Sequence, residues 1–502
     1  MMSATFVQKL GEARQFLMAS DFGQALGRYE KLARQWPQVA AVWFEYGNAA
    51  SGARRAELAE RCWQKAIALE PQNAELICLV GHQYAGARRP DRALASFAQA
   101  AAADPKGVNP RISSAVLLEK RHRLAEARAA VEECLALDPK DEQARYVEAL
   151  LNRRDGRLEE AERGWRDLTA PGVRHPYVRY ACRYELAQLL DETERADEAM
   201  RMLAEAKEIV AGLTDTRALL RAYDEGARRA RSFTESQPLT ICREWEKSFP
   251  AERREKLPPL AFLGGHPRSG TTLLEQTLDA HPEICALDES PVFLEVLQPE
   301  FHKTPHHSAQ RLNVLRRAYA QAWQAEAGAA SAGKTLVDKN PSPTARLPVW
   351  LRVFPELRVI IALRDPRDVA LSCYFQNIPL NNVNANFLTL ERVARHYADL
   401  MDIWLTVRKW EGFSWLETKY EAMVADLPAE GRRVTEFLGL TWQPGQAQFQ
   451  EGSKTKAFYS PTYRDVTRPV YGKAVARWRR YEAHLAPILP ALEPYCRALG
   501  YA

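Results

Sequence analysis

Apolar positions along this chain follow two different rhythms. As far as about Leu213 they recur at the three- and four-residue spacing of helices that bury one face. Beyond Pro258–Pro259 they gather instead into short continuous runs: AFLGG from Ala261, LRVIIAL from Leu357 to Leu363, and FSWLE from Phe413. Such runs read as strands buried on both faces, and a helical pattern follows each of them. After the first run Leu273, Leu274, Thr277 and Leu278 share one helical face; after the second, the helix carries Ser372. This alternation predicts a parallel sheet covered on both sides by helices. Between the two regimes, Thr214 to Leu257 keeps helical spacing with many charges until the proline pair stops it. The expected division is therefore a helical domain over residues 1–250 and an α/β domain over residues 251–502.

The helical half is periodic. Prolines recur every 34 residues at Pro37, Pro71, Pro105 and Pro139. An alanine precedes each by a constant interval (Ala25, Ala59, Ala93, Ala127), and Ala161 continues the series. Closer to each proline stands a bulky residue, Tyr29, Trp63, Phe97 or Val131, continued by Trp165. Trp43, Gly47 and Gly81 occupy two further phases of the same period. Small residues let two helices approach, the bulky one fills the gap, and proline ends the second helix. The pattern resembles the tetratricopeptide repeat, a solenoid of paired antiparallel helices. A four-residue slip at Ala199 and Leu203 marks a degenerate last repeat. The resemblance implies a groove that holds a peptide or protein; support of the second domain, or a homodimer, is the other use such an array allows.

Composition narrows the picture only slightly. The 502 residues carry 46% hydrophobic and 26% charged side chains, ordinary for a globular chain of more than one domain. A net charge of +5, from 69 basic and 64 acidic residues, gives no ground for a nucleic-acid partner. The eight cysteines are scattered without a CxxC pair, which suits buried thiols in a reducing compartment. The only close histidine pair, His306–His307, sits in a polar stretch, and no metal site is expected. No apolar run would span a bilayer and no secretory pattern opens the chain, so the expectation is a cytoplasmic protein with no membrane partner.

Chemistry concentrates in the second half. AFLGGHPRSGTT, Ala261 to Thr272, reads as strand, Gly-rich turn and helix start. Backbone N–H groups of such a turn and the positive end of the helix point at an anion. Gly265–HPRS–Gly270 has the GxxxxG spacing of a P-loop, yet Thr271 stands where a nucleotide-binding lysine would be. A phosphate-bearing ligand is expected, and ordinary ATP hydrolysis is not. The polar clusters PRSGTT, DKNP, RDPRD and the KYE around Tyr420 all fall where ligands of a parallel sheet collect, at the carboxyl ends of strands.

PRSGTTLLEQTLDAHPEICALDES, DKNP, IIALRDPRDVALSCYF and RPVYGKAVARWRRYE together resemble the sulfotransferase superfamily, which moves a sulfuryl group from 3′-phosphoadenosine-5′-phosphosulfate (PAPS). Within it the chain is similar to protein-tyrosine sulfotransferases and to bacterial tetratricopeptide–sulfotransferase proteins, over about Pro259 to Tyr501. The resemblance assigns Arg268, Ser269, Gly270, Thr271 and Thr272 to the 5′-phosphosulfate. Arg364 and Ser372 match the pair that holds the 3′-phosphate, and Tyr420 matches a nucleotide-contacting tyrosine. Thr462 replaces a family serine, Lys473 and Arg477 are candidate phosphate donors, and Trp478 is expected to pack. Glu289 stands at the family's catalytic base, with Lys339 and Arg268 as the cations that meet growing negative charge. Asp288 is a rival base, although in an extended segment only one of two neighbours should face the ligand.

Three positions depart from the pattern. Two arginines that grip acidic residues around the target tyrosine in animal enzymes read Pro291 and Glu295 here, and a further nucleotide-contacting arginine reads Gln376. No membrane anchor or secretory signal is expected. The resemblance thus implies a PAPS-dependent sulfotransferase acting on a hydroxyl, a tyrosine of a recruited peptide or protein first. The rival readings are a small-molecule or glycan sulfotransferase whose repeats serve assembly, and a non-catalytic nucleotide-binding scaffold.

Overall fold

The computed structural model describes residues 4–19, 21–299, 307–450 and 472–501. It divides into two compact units, Met1–Cys182 and Arg183–Ala502.

The first unit is a run of helical hairpins: α1 (Ala4–Met18), α2 (Phe22–Gln35), α3 (Ala40–Gly52), α4 (Ala56–Leu69), α5 (Ala74–Gly86), α6 (Pro90–Ala103), α7 (Asn109–Lys120), α8 (Leu124–Leu137), α9 (Glu142–Arg154) and α10 (Leu158–Asp167). The periodic residues form its core. Ala25, Ala59, Ala93, Ala127 and Ala161 are buried, as are Tyr29, Trp63, Phe97, Val131 and Trp165. The glycines explain how the bulky residues fit. A Cβ on Gly47 would stand 2.4 Å from the Trp63 ring, and one on Gly81 2.5 Å from Phe97. Asp21, Asn73 and Asp141 cap their helices by accepting from Gln24, Leu76 and Ala144 N–H. One further phase escaped the sequence reading. The turns of the hairpins α3–α4, α5–α6, α7–α8 and α9–α10 each place one residue at positive φ: Arg54, Arg88, His122 and Gly156. Only the last is a glycine, so composition hides a recurrent left-handed position.

Helix α11 (Pro176–Glu192) crosses the division between units, and α12 (Ala196–Ala211), α13 (Thr216–Glu235) and α14 (Ile241–Ser248) follow. The slip in the repeat has a physical origin here. Helix α11 has 17 residues where α3, α5 and α9 have 13, and it begins in phase with them. The surplus is therefore one extra turn at its C-terminal end, and Glu194 takes the displaced positive-φ position.

The second unit is built on five strands: β1 (Leu260–Gly265), β2 (Ile284–Asp288), β3 (Thr335–Lys339), β4 (Arg358–Leu363) and β5 (Ser414–Lys419). They lie in the order β2-β3-β1-β4-β5, all parallel. Every residue of β1 is buried, as a central strand covered on both faces requires. Helices α15 (Thr271–Asp279), α16 (Ala309–Ala327), α17 (Leu347–Val353), α18 (Pro366–Tyr374), α19 (Leu390–Val407), α20 (Tyr420–Ala425), α21 (Leu427–Phe437), α22 (Glu482–Leu485) and α23 (Leu489–Leu499) accompany the sheet. One face of its core joins Leu263, Leu274, Leu278, Val337, Ile360 and Val434. The architecture is thus a tetratricopeptide-like helical repeat region followed by a parallel-sheet α/β domain. All eight cysteines are buried. Among the described residues, no helix is long and apolar enough to cross a membrane, and no group of three or more His, Cys, Asp or Glu could hold a metal ion.

Candidate active site

Strand β1 ends in a turn with almost no spare room. Gly265 has φ +129, and a Cβ there would meet Ala362 O at 2.3 Å, so the chain turns hard against β4. Thr344 Oγ accepts from Gly265 N at 2.9 Å and donates to Gly265 O at 3.0 Å, which fixes the turn from the other side. Arg268 takes φ 74 and Gly270 takes φ 88, and helix α15 starts at once. The first N–H groups of a helix have no acceptor of their own in the helix. Those of α15 therefore open beside buried Ser269, Thr271 and Thr272, a geometry suited to an anion.

Two guanidinium groups and a hydroxyl meet at this turn. Arg268 Nε donates to Ser372 Oγ at 3.1 Å, from the turn to helix α18. Arg364, immediately after β4, donates through Nη1 to Arg268 O at 3.2 Å and through Nη2 to Ala474 O at 2.5 Å. Its guanidinium lies 4.7 Å over the Tyr420 ring. Its Nε is buried and has no hydrogen-bond partner among the described residues. Asp365, next in sequence, gives its carboxylate to Arg367 and to the N-cap of α18 instead. A buried cation with an orphaned donor suits an incoming phosphate.

Across β1, the ends of β2 and β3 bring Glu289, Asp288 and Lys339 together. The Lys339 ammonium is fully buried, pairs with Asp288 and lies 3.3 Å from Glu289 Oε1. Burial pulls its pKa down, but Asp288, then Glu289 and Glu275, outweigh that and raise it above the ordinary lysine value, so it stays charged. The alternation rule for extended chain expected one of the two carboxylates to face elsewhere, yet both reach Lys339. The reason is backbone geometry: Glu289 leaves the strand at φ 50 while its N–H still donates to Lys339 O. Exposure distinguishes them, because the Asp288 side chain is 5% exposed and that of Glu289 41%. Of the two carboxylates, Glu289 is the one open to solvent.

The remaining expected residues are dispersed. Lys473 is exposed. Arg477 donates to Asp191 at 3.0 Å and lies 4.2 Å over Phe375. Trp478 is buried, as expected, under the Arg367 guanidinium at 4.0 Å. Thr462 lies outside the described residues. Gln376 donates to Ser372 O at 3.0 Å within its own helix region. Glu295 belongs to the short π-helical turn Phe293–Leu297, just past Pro291.

Sequence reasoning missed what supports the turn from below. His266 Nε2 lies 2.7 Å from His396 Nδ1 of α19, and both rings are buried. Burial pushes His266 down to about 4 and His396 well below its ordinary value, so a neutral pair lies under the anion turn. No local pattern marks a partner 130 residues away.

Residues 259–444 match the sulfotransferase family. An uncharacterized protein of Aquifex aeolicus is 25% identical over 63% of this chain and 42% of its own length. Protein-tyrosine sulfotransferase A of Caenorhabditis elegans is 25% identical over 48% of this chain and 67% of its own. The sulfotransferase domain of the Synechococcus olefin synthase superposes with a TM-score of 0.33 at 19% identity, covering 45% of this chain and 89% of that one.

Proposed function

We propose, from the match of residues 259–444 to the sulfotransferase family, that the chain transfers a sulfuryl group from PAPS to an acceptor hydroxyl, with a tyrosine of a peptide or protein recruited by the repeats as the favoured acceptor. The observation that carries the reading is the convergence of Arg268, Arg364 and Ser372 on the turn that opens α15. In this reading the amides of residues 270–272 and the Arg268 fork receive the 5′-phosphosulfate, while Arg364 and Ser372 receive the 3′-phosphate. The Tyr420 ring lies 4.7 Å from the Arg364 guanidinium.

Lys339 and Glu289 carry the chemistry. PAPS supplies an activated sulfuryl group. An acceptor hydroxyl is a weak nucleophile until its proton has a destination, and the partly exposed Glu289 carboxylate provides one. The Lys339 ammonium, held by Asp288 and close to Glu289, is placed to offset charge on the leaving phosphate oxygen. No step in this scheme draws on a metal. The repeats, as a groove former, favour a macromolecular acceptor over a small one.

The experiment is calorimetric titration of the full chain with adenosine 3′,5′-bisphosphate beside ATP. Micromolar binding of the bisphosphate, weak binding of ATP, and loss of the former in Arg364→Ala are expected. A preference for ATP, or binding of neither, would return the domain to a scaffold role.

A further inference from the structure

The extra turn of α11 carries an aspartate with an unusual share of partners. Asp191 Oδ1 accepts from Arg477 Nε at 3.0 Å, from Arg480 Nη2 at 3.1 Å and from the Tyr481 hydroxyl at 2.7 Å. Its backbone carbonyl accepts from Arg480 Nη1 at 3.1 Å. All three partners lie on one short stretch near the C-terminus, Gly472 to Tyr481, and the two ends of the interaction are 286 residues apart in sequence. The Asp191 and Arg477 side chains are each 15% exposed, which reduces solvent screening of the pair.

That stretch also touches Arg364, assigned above to the 3′-phosphate, and the helix that carries Ser372. Ala474 O takes the Nη2 of Arg364. Trp478 N donates to Asp368 Oδ1 at 2.7 Å, on the helix that carries Ser372. Phe375, one turn beyond Ser372's position on the same side, stacks on Arg477 and meets the Tyr481 ring edge-on at 5.7 Å. A strap formed by two 3-10 turns has few backbone bonds of its own, so its path depends on such anchors. Arg364 is thus aimed by a carbonyl whose position depends on Asp191.

We infer that Asp191 is a positioning residue for the 3′-phosphate subsite, acting through the 472–481 strap and Arg364. The inference rests on the sulfotransferase reading above and extends it to a residue in a repeat helix. It also gives the irregularity of the repeat a role: a helix of regular length would end before Asp191.

The test uses the full chain and two nucleotides that differ only at the 3′ position, adenosine 3′,5′-bisphosphate and AMP. Asp191→Asn should weaken the bisphosphate about tenfold while leaving AMP affinity within about twofold, because the α15 turn is untouched. Asp191→Glu should recover part of the loss. Tyr481→Phe, which removes one hydroxyl and keeps the ring, should weaken the bisphosphate about threefold and serves if Asp191→Asn does not fold. Unchanged bisphosphate affinity in both variants, or a parallel fall for both nucleotides, would overturn the inference. A wild-type chain that binds neither nucleotide would instead overturn the functional reading and this inference with it.

Discussion

The Nε–H of Arg268 donates to Ser372 Oγ at 3.1 Å, so a side-chain hydrogen bond joins the turn after β1 to the helix after β4. Ser372→Ala removes both this acceptor and a proposed ligand of the 3′-phosphate. Bisphosphate affinity measured by calorimetry should fall about tenfold, with the melting temperature little changed. Full retention of affinity would take Ser372 out of the site.

Glu289 and Lys339 predict a separation of binding from chemistry. Glu289→Gln keeps the size of the side chain and removes the proton acceptor. Turnover with PAPS and a hydroxyl acceptor should fall by about 10²–10⁴, while bisphosphate affinity stays within about twofold. A parallel fall in both quantities would show that Glu289 holds the fold of the site and does not accept the proton.

Lys207 of α12 predicts a pH dependence of stability. The amine is buried, donates to Phe387 O at 2.6 Å and lies 4.4 Å from the Tyr374 ring. Burial lowers its pKa from 10.5 to about 7, with Cys373 pulling weakly the other way. Between those values the unfolded chain holds a proton that the folded chain lacks, so this residue makes stability rise with pH. The slope is at most about 1.4 kcal/mol per pH unit. Urea unfolding of wild type and Lys207→Met between pH 7.5 and 9.5 should show wild type gaining on the variant. A constant difference would mean that the carbonyl and the ring faces keep the ammonium charged.

Gly47 and Trp63 predict where the repeats fail. Alanine improves helix propensity by about 1 kcal/mol, but a Cβ at position 47 would overlap the indole, 2.4 Å from its nearest atoms. Overpacking of that kind costs about 1–3 kcal/mol, so Gly47→Ala should lower stability on balance. Pairing it with Trp63→Phe should restore much of the loss in thermal unfolding followed by circular dichroism.

Much of this arrangement is legible in the sequence because its causes are local. The alanine and bulky phases mark helix contacts within one hairpin, and the apolar runs mark strands whose neighbours cover both faces. The places of Arg268, Arg364 and Lys339 at or just past strand ends were readable because each follows or ends such a run. Pairings between distant segments left no such trace. His266 meets His396, and Asp191 meets Arg477, with no periodicity to link them. The shared approach of Asp288 and Glu289 to Lys339 was hidden for another reason: it depends on a positive φ at Glu289, which a glutamate does not advertise.

Arg268 and Glu289 both occupy left-handed backbone, at φ 74 and φ 50. For a side chain other than glycine that conformation costs about 1–2 kcal/mol. Directed evolution for heat tolerance alone would therefore be rewarded at these two codons by glycine, and the fittest survivors of such a screen would be the least active. A library selected for turnover and then for melting temperature should keep Arg268 and Glu289 through the first round and shed them in the second.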